Sequence, residues 1–281
     1  MKLRIVPAQQ GALWVRQGFR VFGKQPLAFS GLFAAFLFAV FLLSLIPLLG
    51  SVLLLALLPL ATLGFMLGTH RALSGGIPLP RSFIEPLRGG RSSAAALLQL
   101  GLIYAACTFG IIWLSDAVDG GALDKLMETL ASGNATPETI GQQIADPALE
   151  LGLLLRFGLA ALLSVPFWHA PALVHWDRQG AAQSLFSSTV ACWRNKGAFA
   201  VFGVCWAAVI LLFALLANVL AAALGQPQLL ALAAMPASLL FSTVFYASLF
   251  FTFADCFELP DDPRPASMPT HAADEPPSET P

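Results

Sequence analysis

Few side chains in this 281-residue chain are of a type and in a place to do chemistry. His169 comes first. It falls inside the apolar run Phe157–Trp176, roughly 10 Å short of the end of that run. An ionisable group in such a place can relay protons. A neutral imidazole hydrogen-bonded to a neighbouring helix is the commoner arrangement, and it is the expected state of His169. His175 follows six residues later, about 240° round a helix, so the two cannot offer one metal a common face. Arg156, at the start of the same run, would either face a substrate anion or sit at the outer boundary and reach toward headgroups. Phe157–Trp176 already supplies enough apolar residues to span, so the boundary position is expected. Asn218, Tyr104 and Gln99 are isolated polar groups, expected to join helices rather than line a pathway.

Stronger signatures do not occur. The sequence has no H-E-x-x-H, G-x-S-x-G, Walker A or G-x-G-x-x-G motif and no metal-spaced Cys/His cluster. Cys107 and Cys205 lie in apolar runs, Cys192 and Cys256 on the side expected to be cytoplasmic, none in the acidic segment 116–148, and no C-x-x-C is present, so disulfides and a cysteine zinc site are not expected. No cofactor or metal is implied and no catalytic residue can be named. The chain is therefore expected not to be an enzyme.

The elements that carry these residues are set by where charge is missing. Asp, Glu, Lys and Arg make up 11% of the chain and hydrophobic residues 57%, which excludes a soluble enzyme, because so few charges cannot cover a water-facing surface. The net charge of −1 gives no general attraction to nucleic acid. Leu27–Thr69 holds no charged residue over 43 positions, about twice what the ~30 Å hydrocarbon layer requires, and it breaks at Pro47–Ser51 into two helices. Ser92–Ser115 gives a third span and Phe157–Trp176 a fourth. Gly197–Ala254 splits at Gly225–Gln228 into a fifth and a sixth. The expected fold is an all-α bundle of six transmembrane helices, with spans near 27–46, 51–69, 93–115, 156–176, 197–224 and 229–254.

Twelve of the fifteen basic residues fall before the first span, between the second and third, or between the fourth and fifth. By the positive-inside rule both termini are expected in the cytoplasm. The acidic segment 116–148, with Lys125 as its one cation, is then expected outside as a small helical cap: Thr136-Pro137 reads as the start of a short helix and Ala122–Ser132 as another, while Asp146-Pro147 reads as the start of the helix that enters the fourth span. Asn134-Ala135-Thr136 fits a sequon. The N-terminal region lacks the cleavage site of a signal peptide, and the proline-rich stretch 260–281 reads as a disordered tail.

Residues 1–26 read as a cytoplasmic amphipathic helix ahead of the membrane domain 27–259. Trp14, Val15, Gly18, Phe19 and Phe22 share one side; Arg16, Arg20 and Lys24 share the other. Such a helix is expected at the interface, its aromatic side in the acyl boundary and its basic side on anionic headgroups, worth roughly 3 kcal/mol for three cations. Similar apolar spacing recurs at Leu185, Phe186, Thr189, Val190 and Trp193, with a shorter echo at Phe83, Ile84 and Leu87. Pro59 and Arg71 are as far apart as Pro166 and Arg178. Three repeated units follow, each an interfacial helix and a two-helix hairpin. Gly64 and Gly68 form a G-x-x-x-G that permits close helix packing, within the chain or between copies.

The opening MKLRIVPAQQGALWVRQGFRVFGKQPLAF, with LLSLIPLLG and LLPLATLGFMLGTHRAL, resembles a family of proteobacterial polytopic inner-membrane proteins, best over residues 1–90. The resemblance implies an inner-membrane location and brings no activity and no site residues. The repeated layout is also similar, in architecture alone, to six-helix membrane domains found beside some glycerophosphodiester phosphodiesterases. Three functions are weighed. A non-enzymatic scaffold that binds membrane lipid, a membrane-protein partner or a second copy of itself ranks first, through Arg16, Arg20 and Lys24. A small-solute or ion transporter or channel with His169 and Arg156 in its path ranks second. A lipid-headgroup enzyme ranks last, since its external carboxylates Asp116, Asp119 and Asp146 come without a histidine.

Overall fold

The computed structural model describes residues 1–132, 136–226 and 228–259. The expected tail 260–281 and the sequon at Asn134 lie outside the described residues. Regular structure among the described residues is helical: α1 (Gln10–Lys24), α2 (Pro26–Ser44), α3 (Leu49–Leu73), two 3-10 turns (Pro80–Phe83 and Glu85–Arg88), α4 (Arg91–Asp119), α5 (Ala122–Ala131), α6 (Pro137–Ile144), α7 (Pro147–Phe167), α8 (Ala170–Trp176), α9 (Ala181–Arg194), α10 (Lys196–Ala223) and α11 (Gln228–Cys256). Six of these are long and apolar enough to cross a membrane: α2, α3, α4, α7 together with α8, α10 and α11. The protein is an all-helical membrane protein with six spans. α10 exposes Ile210, Leu211, Leu212, Leu215, Leu216 and Val219. A contiguous apolar face of that size is untenable in water and ordinary in a bilayer.

The helices overrun the charge-free runs. α4 continues to Asp119, and α7 starts at Pro147, where the Asp146-Pro147 pair predicts it, ahead of the apolar run that begins near Arg156. The Asp146 carboxylate accepts from the Ala148 N–H at 2.9 Å, Pro147 fills the first turn and Glu150 suits the helix dipole there. Charge locates the apolar stretch of a helix and says little about its polar ends. The segment between α4 and α7 holds α5 and α6, the second begun by a reciprocal Thr136–Thr139 capping box.

The fourth span is interrupted between Phe167 and Ala170. Pro166 cannot donate to the ladder, and the Ser188 hydroxyl of α9 enters the next rung. It accepts from the His169 N–H at 3.0 Å and donates to the Val165 carbonyl at 3.1 Å. A side chain inserted into an i→i−4 hydrogen bond is a recognised cause of a kink. Here it also fastens α9 beneath the break.

α1 is wedged between α10 and α11, where Trp14, Val15 and Val21 join the largest core cluster. Gly11 and Gly18 make this approach possible. A Cβ at Gly11 would lie 2.1 Å from the Ala198 carbonyl oxygen, and one at Gly18 would lie 2.8 Å from Ser248 Cβ. The first 3-10 turn packs on α3, α9 on α7 and α8, and α1 on α11. Each short surface element therefore seats on a span belonging to a different hairpin from the one it precedes. Residues 2–6 run beside the end of α11: Leu3 pairs with Phe257, and the Asn195 side chain accepts from the Val6 N–H and donates to the Arg4 carbonyl. The start of the chain and the end of the last span therefore share one face, with the basic residues that flank the spans.

Candidate functional site

On that face, Arg16, Arg20 and Lys24 stand exposed along the outer side of α1. The opposite side differs from the acyl-facing surface expected of it. Trp14 is fully buried, its ring 5.2 Å from Phe199 and 6.0 Å from Phe202, and Phe19 stacks on Trp206 at 5.7 Å. An amphipathic pattern specifies that one side leaves water; it does not say whether lipid or protein receives it.

What holds α1 there is polar. Asp255, 5% exposed near the end of α11, accepts from the Gln10 amide at 2.5 Å and from the Trp14 indole N–H at 2.8 Å. A buried carboxylate needs such donors, because desolvation without them costs several kcal/mol. Sequence reasoning passed over Asp255, although an acid placed directly after an apolar run, with Trp and Gln in an amphipathic helix, was a usable signal.

His169 lies in the break of the fourth span with 0% exposure. Its Nε2 is 3.2 Å from the Thr252 hydroxyl of α11, which also accepts from the Trp168 indole at 3.2 Å. Phe199, Phe253 and Phe257 surround the ring at 5.6 to 5.8 Å, and Nδ1 has no hydrogen-bond partner among the described residues. The interhelical hydrogen bond expected of this histidine is present, in an aromatic cage. Arg156 does not simply reach toward headgroups. It pairs with Asp116, joining α7 to α4 close to the C-terminal end of α4. His169 and Arg156 occupy separate environments and share no cluster.

Gly64 and Gly68 pack within the chain. A Cβ at Gly64 would strike the Phe83 ring at 2.2 Å, and one at Gly68 would meet Leu32 at 2.8 Å. Around Phe83 lies a feature that the sequence did not single out. Arg71, Arg81 and Arg88 converge on a pocket of about 380 Å³ with Glu85 and Ile84, although their separate positions in the chain had served only to fix orientation. A second pocket, of about 310 Å³, lies between α3, α4, α7 and α11 and is lined in part by Pro59, Thr62, Tyr104 and Trp168. Cys192 of α9 is buried, and burial pushes its thiol pKa up. No group of three or more potential metal ligands occurs among the described residues.

No family model matches the chain, and no solved structure matches it. A probable inner membrane protein of Burkholderia thailandensis is 35% identical over 266 residues, covering 94% of this chain and 97% of that protein. These comparisons lend no support to the architectural likeness to the membrane domains beside glycerophosphodiester phosphodiesterases. With near-complete coverage at that identity and six apolar spans in the fold, the chain belongs to the same family of inner-membrane proteins as the Burkholderia protein.

Proposed function

We propose that this protein is a non-enzymatic scaffold of the inner membrane that holds anionic lipid, or a membrane partner bearing similar charge, against its basic face. The mounting of α1 carries this reading. Its aromatic side is seated between α10 and α11 while Arg16, Arg20 and Lys24 point away from the protein. A helix fixed in this way presents three cations in a set array, worth about 1 kcal/mol each near anionic headgroups. The reading takes the basic face as cytoplasmic by the positive-inside rule, with both ends of the membrane domain there. It also takes the three pairs of surface element and hairpin as repeats that brace one another. The test is reconstitution into nanodiscs of phosphatidylcholine and phosphatidylglycerol, followed by counting the retained anionic lipid by native mass spectrometry. Replacing Arg16, Arg20 and Lys24 with Gln should lower that count in low salt. An unchanged count would defeat the lipid half of the proposal.

The second reading is a small-solute or ion transporter. The pocket between α3 and α7 favours it, being lined by Pro59 of α3, the Thr62 and Tyr104 hydroxyl-bearing side chains, and Trp168 beside the break. Solute or proton flux into proteoliposomes that is lost in His169→Ala or Arg156→Ala would support transport; equal leak in all samples would count against it.

A further inference from the structure

Three arginines close one end of an apolar groove. Proline at the first turn of both 3-10 segments, Pro80 and Pro86, fixes the local backbone between α3 and α4. Gly64 leaves room for the Phe83 ring against α3, and that insertion places Ile84 and Leu87 in the crease between α2 and α3. There they line an apolar groove of about 240 Å³ with Phe36, Val40 and Leu57 among its walls. Ile84 also lines the arginine pocket, so groove and pocket meet at that side chain. α3 spans 25 residues, or about 37 Å, longer than the ~30 Å hydrocarbon layer, and Arg71 in its last turn reaches headgroup depth.

The charge in the pocket is unbalanced. Glu85 pairs with Arg71 at 2.7 Å, and Arg71 also approaches the Ser82 hydroxyl at 3.5 Å. Arg81 and Arg88 have no carboxylate partner among the described residues. Two guanidinium groups remain to be matched, and their planar forks suit phosphate oxygens. With Glu85 already engaged, a headgroup ammonium would find no free acid in this pocket.

We infer that this is a binding site for one glycerophospholipid of net negative charge, its phosphate on Arg71, Arg81 and Arg88 and one acyl chain in the groove of α2 and α3. The inference shares with the proposed scaffold only the premise that anionic lipid is the ligand. Its residues are not those of the α1 stripe, so the two fail separately. The test titrates purified, delipidated full-length protein in detergent with phosphatidylglycerol, phosphatidylcholine or inorganic phosphate, and reads bound species by native mass spectrometry. One phosphatidylglycerol should survive collisional activation, and phosphatidylcholine should bind at least tenfold less. Arg81→Gln with Arg88→Gln should lower the retained fraction about tenfold, and the Lys pair should recover part of it. Ala39→Trp, which fills the groove without touching an arginine, should also release the lipid. Arg16, Arg20 and Lys24 changed to Gln should leave this one lipid in place. Retention by the Gln pair would overturn the site, as would indifference to Ala39→Trp combined with competition by inorganic phosphate, which would mark a free-phosphate pocket. Both exposed arginines can be replaced without disturbing the core, and an unchanged circular dichroism spectrum verifies folding in each variant.

Discussion

Asp255 and Cys192 are buried side chains of opposite consequence. Asp255 keeps the Gln10 amide and the Trp14 indole satisfied out of water. Asp255→Leu removes the acceptor from both donors, at about 1–3 kcal/mol for each group. Trypsin should then cut α1 at Arg16, Arg20 or Lys24 while the rest of the chain stays intact, which intact-mass measurement reads directly; Asp255→Asn, which retains one oxygen acceptor, should be the milder change. For Cys192 the sign follows from burial. The folded state favours the neutral thiol, so that part of the stability is present below the ordinary thiol value near 9 and is lost as pH rises from there toward the raised folded value. Maleimide should leave Cys192 unmodified at pH 8 in the folded protein and label it in denaturant. Both residues were visible in the sequence as types, yet their burial depends on partners far along the chain. His169 was legible as a hydrogen-bonded histidine; that Thr252 is its partner and phenylalanines its walls was not, because nothing local in the sequence encodes which helix stands opposite.

At the scale of elements, two close approaches organise the bundle. Gly11 and Gly18 let α1 enter between α10 and α11, where the opposing atoms include main chain that cannot move aside. Gly18→Val should cost about 1–3 kcal/mol as overpacking and lower the thermal midpoint, whereas the same change at Gly23, whose Cβ would meet nothing within 4 Å, should leave the midpoint close to wild type apart from helix propensity. The second approach is the entry of Ser188 into the Val165–His169 rung. Ser188→Val strips the His169 N–H and the Val165 carbonyl of their shared partner and should destabilise the protein by a few kcal/mol, measured by unfolding in mixed micelles. Spans were the most legible elements, since a stretch without charge has few alternatives to a bilayer. The start of α7 was legible too, in the Asp146-Pro147 pair ahead of the apolar stretch, whereas the continuation of α4 to Asp119 was not, because no such signal marks it. The partner of an amphipathic face was least legible of all.

For the whole molecule, the pairing of Leu3 with Phe257 places the start of the chain and the end of the last span on one face, with Arg71 and Arg194 in the last turns of α3 and α9 and Arg178 in the connection between α8 and α9. If this face is cytoplasmic, as the positive-inside rule proposes, a fluorescent protein fused after residue 259 should glow in cells and alkaline phosphatase fused at the same point should stay inactive; the reverse result would overturn that proposed orientation. The contact between α1 and α11 has a consequence for synthesis. Gln10 and Trp14 meet Asp255 across 245 and 241 residues, so α1 can lean on α10 but cannot complete its seat until α11 has been translated and inserted. During that interval the side of α1 that faces α11 is uncovered, and the membrane surface is the apolar shelter within its reach. A chain cut short before α11 would leave the Gln10 amide and the Trp14 indole without their acceptor, so its α1 would stay loose where that of the finished chain is fixed.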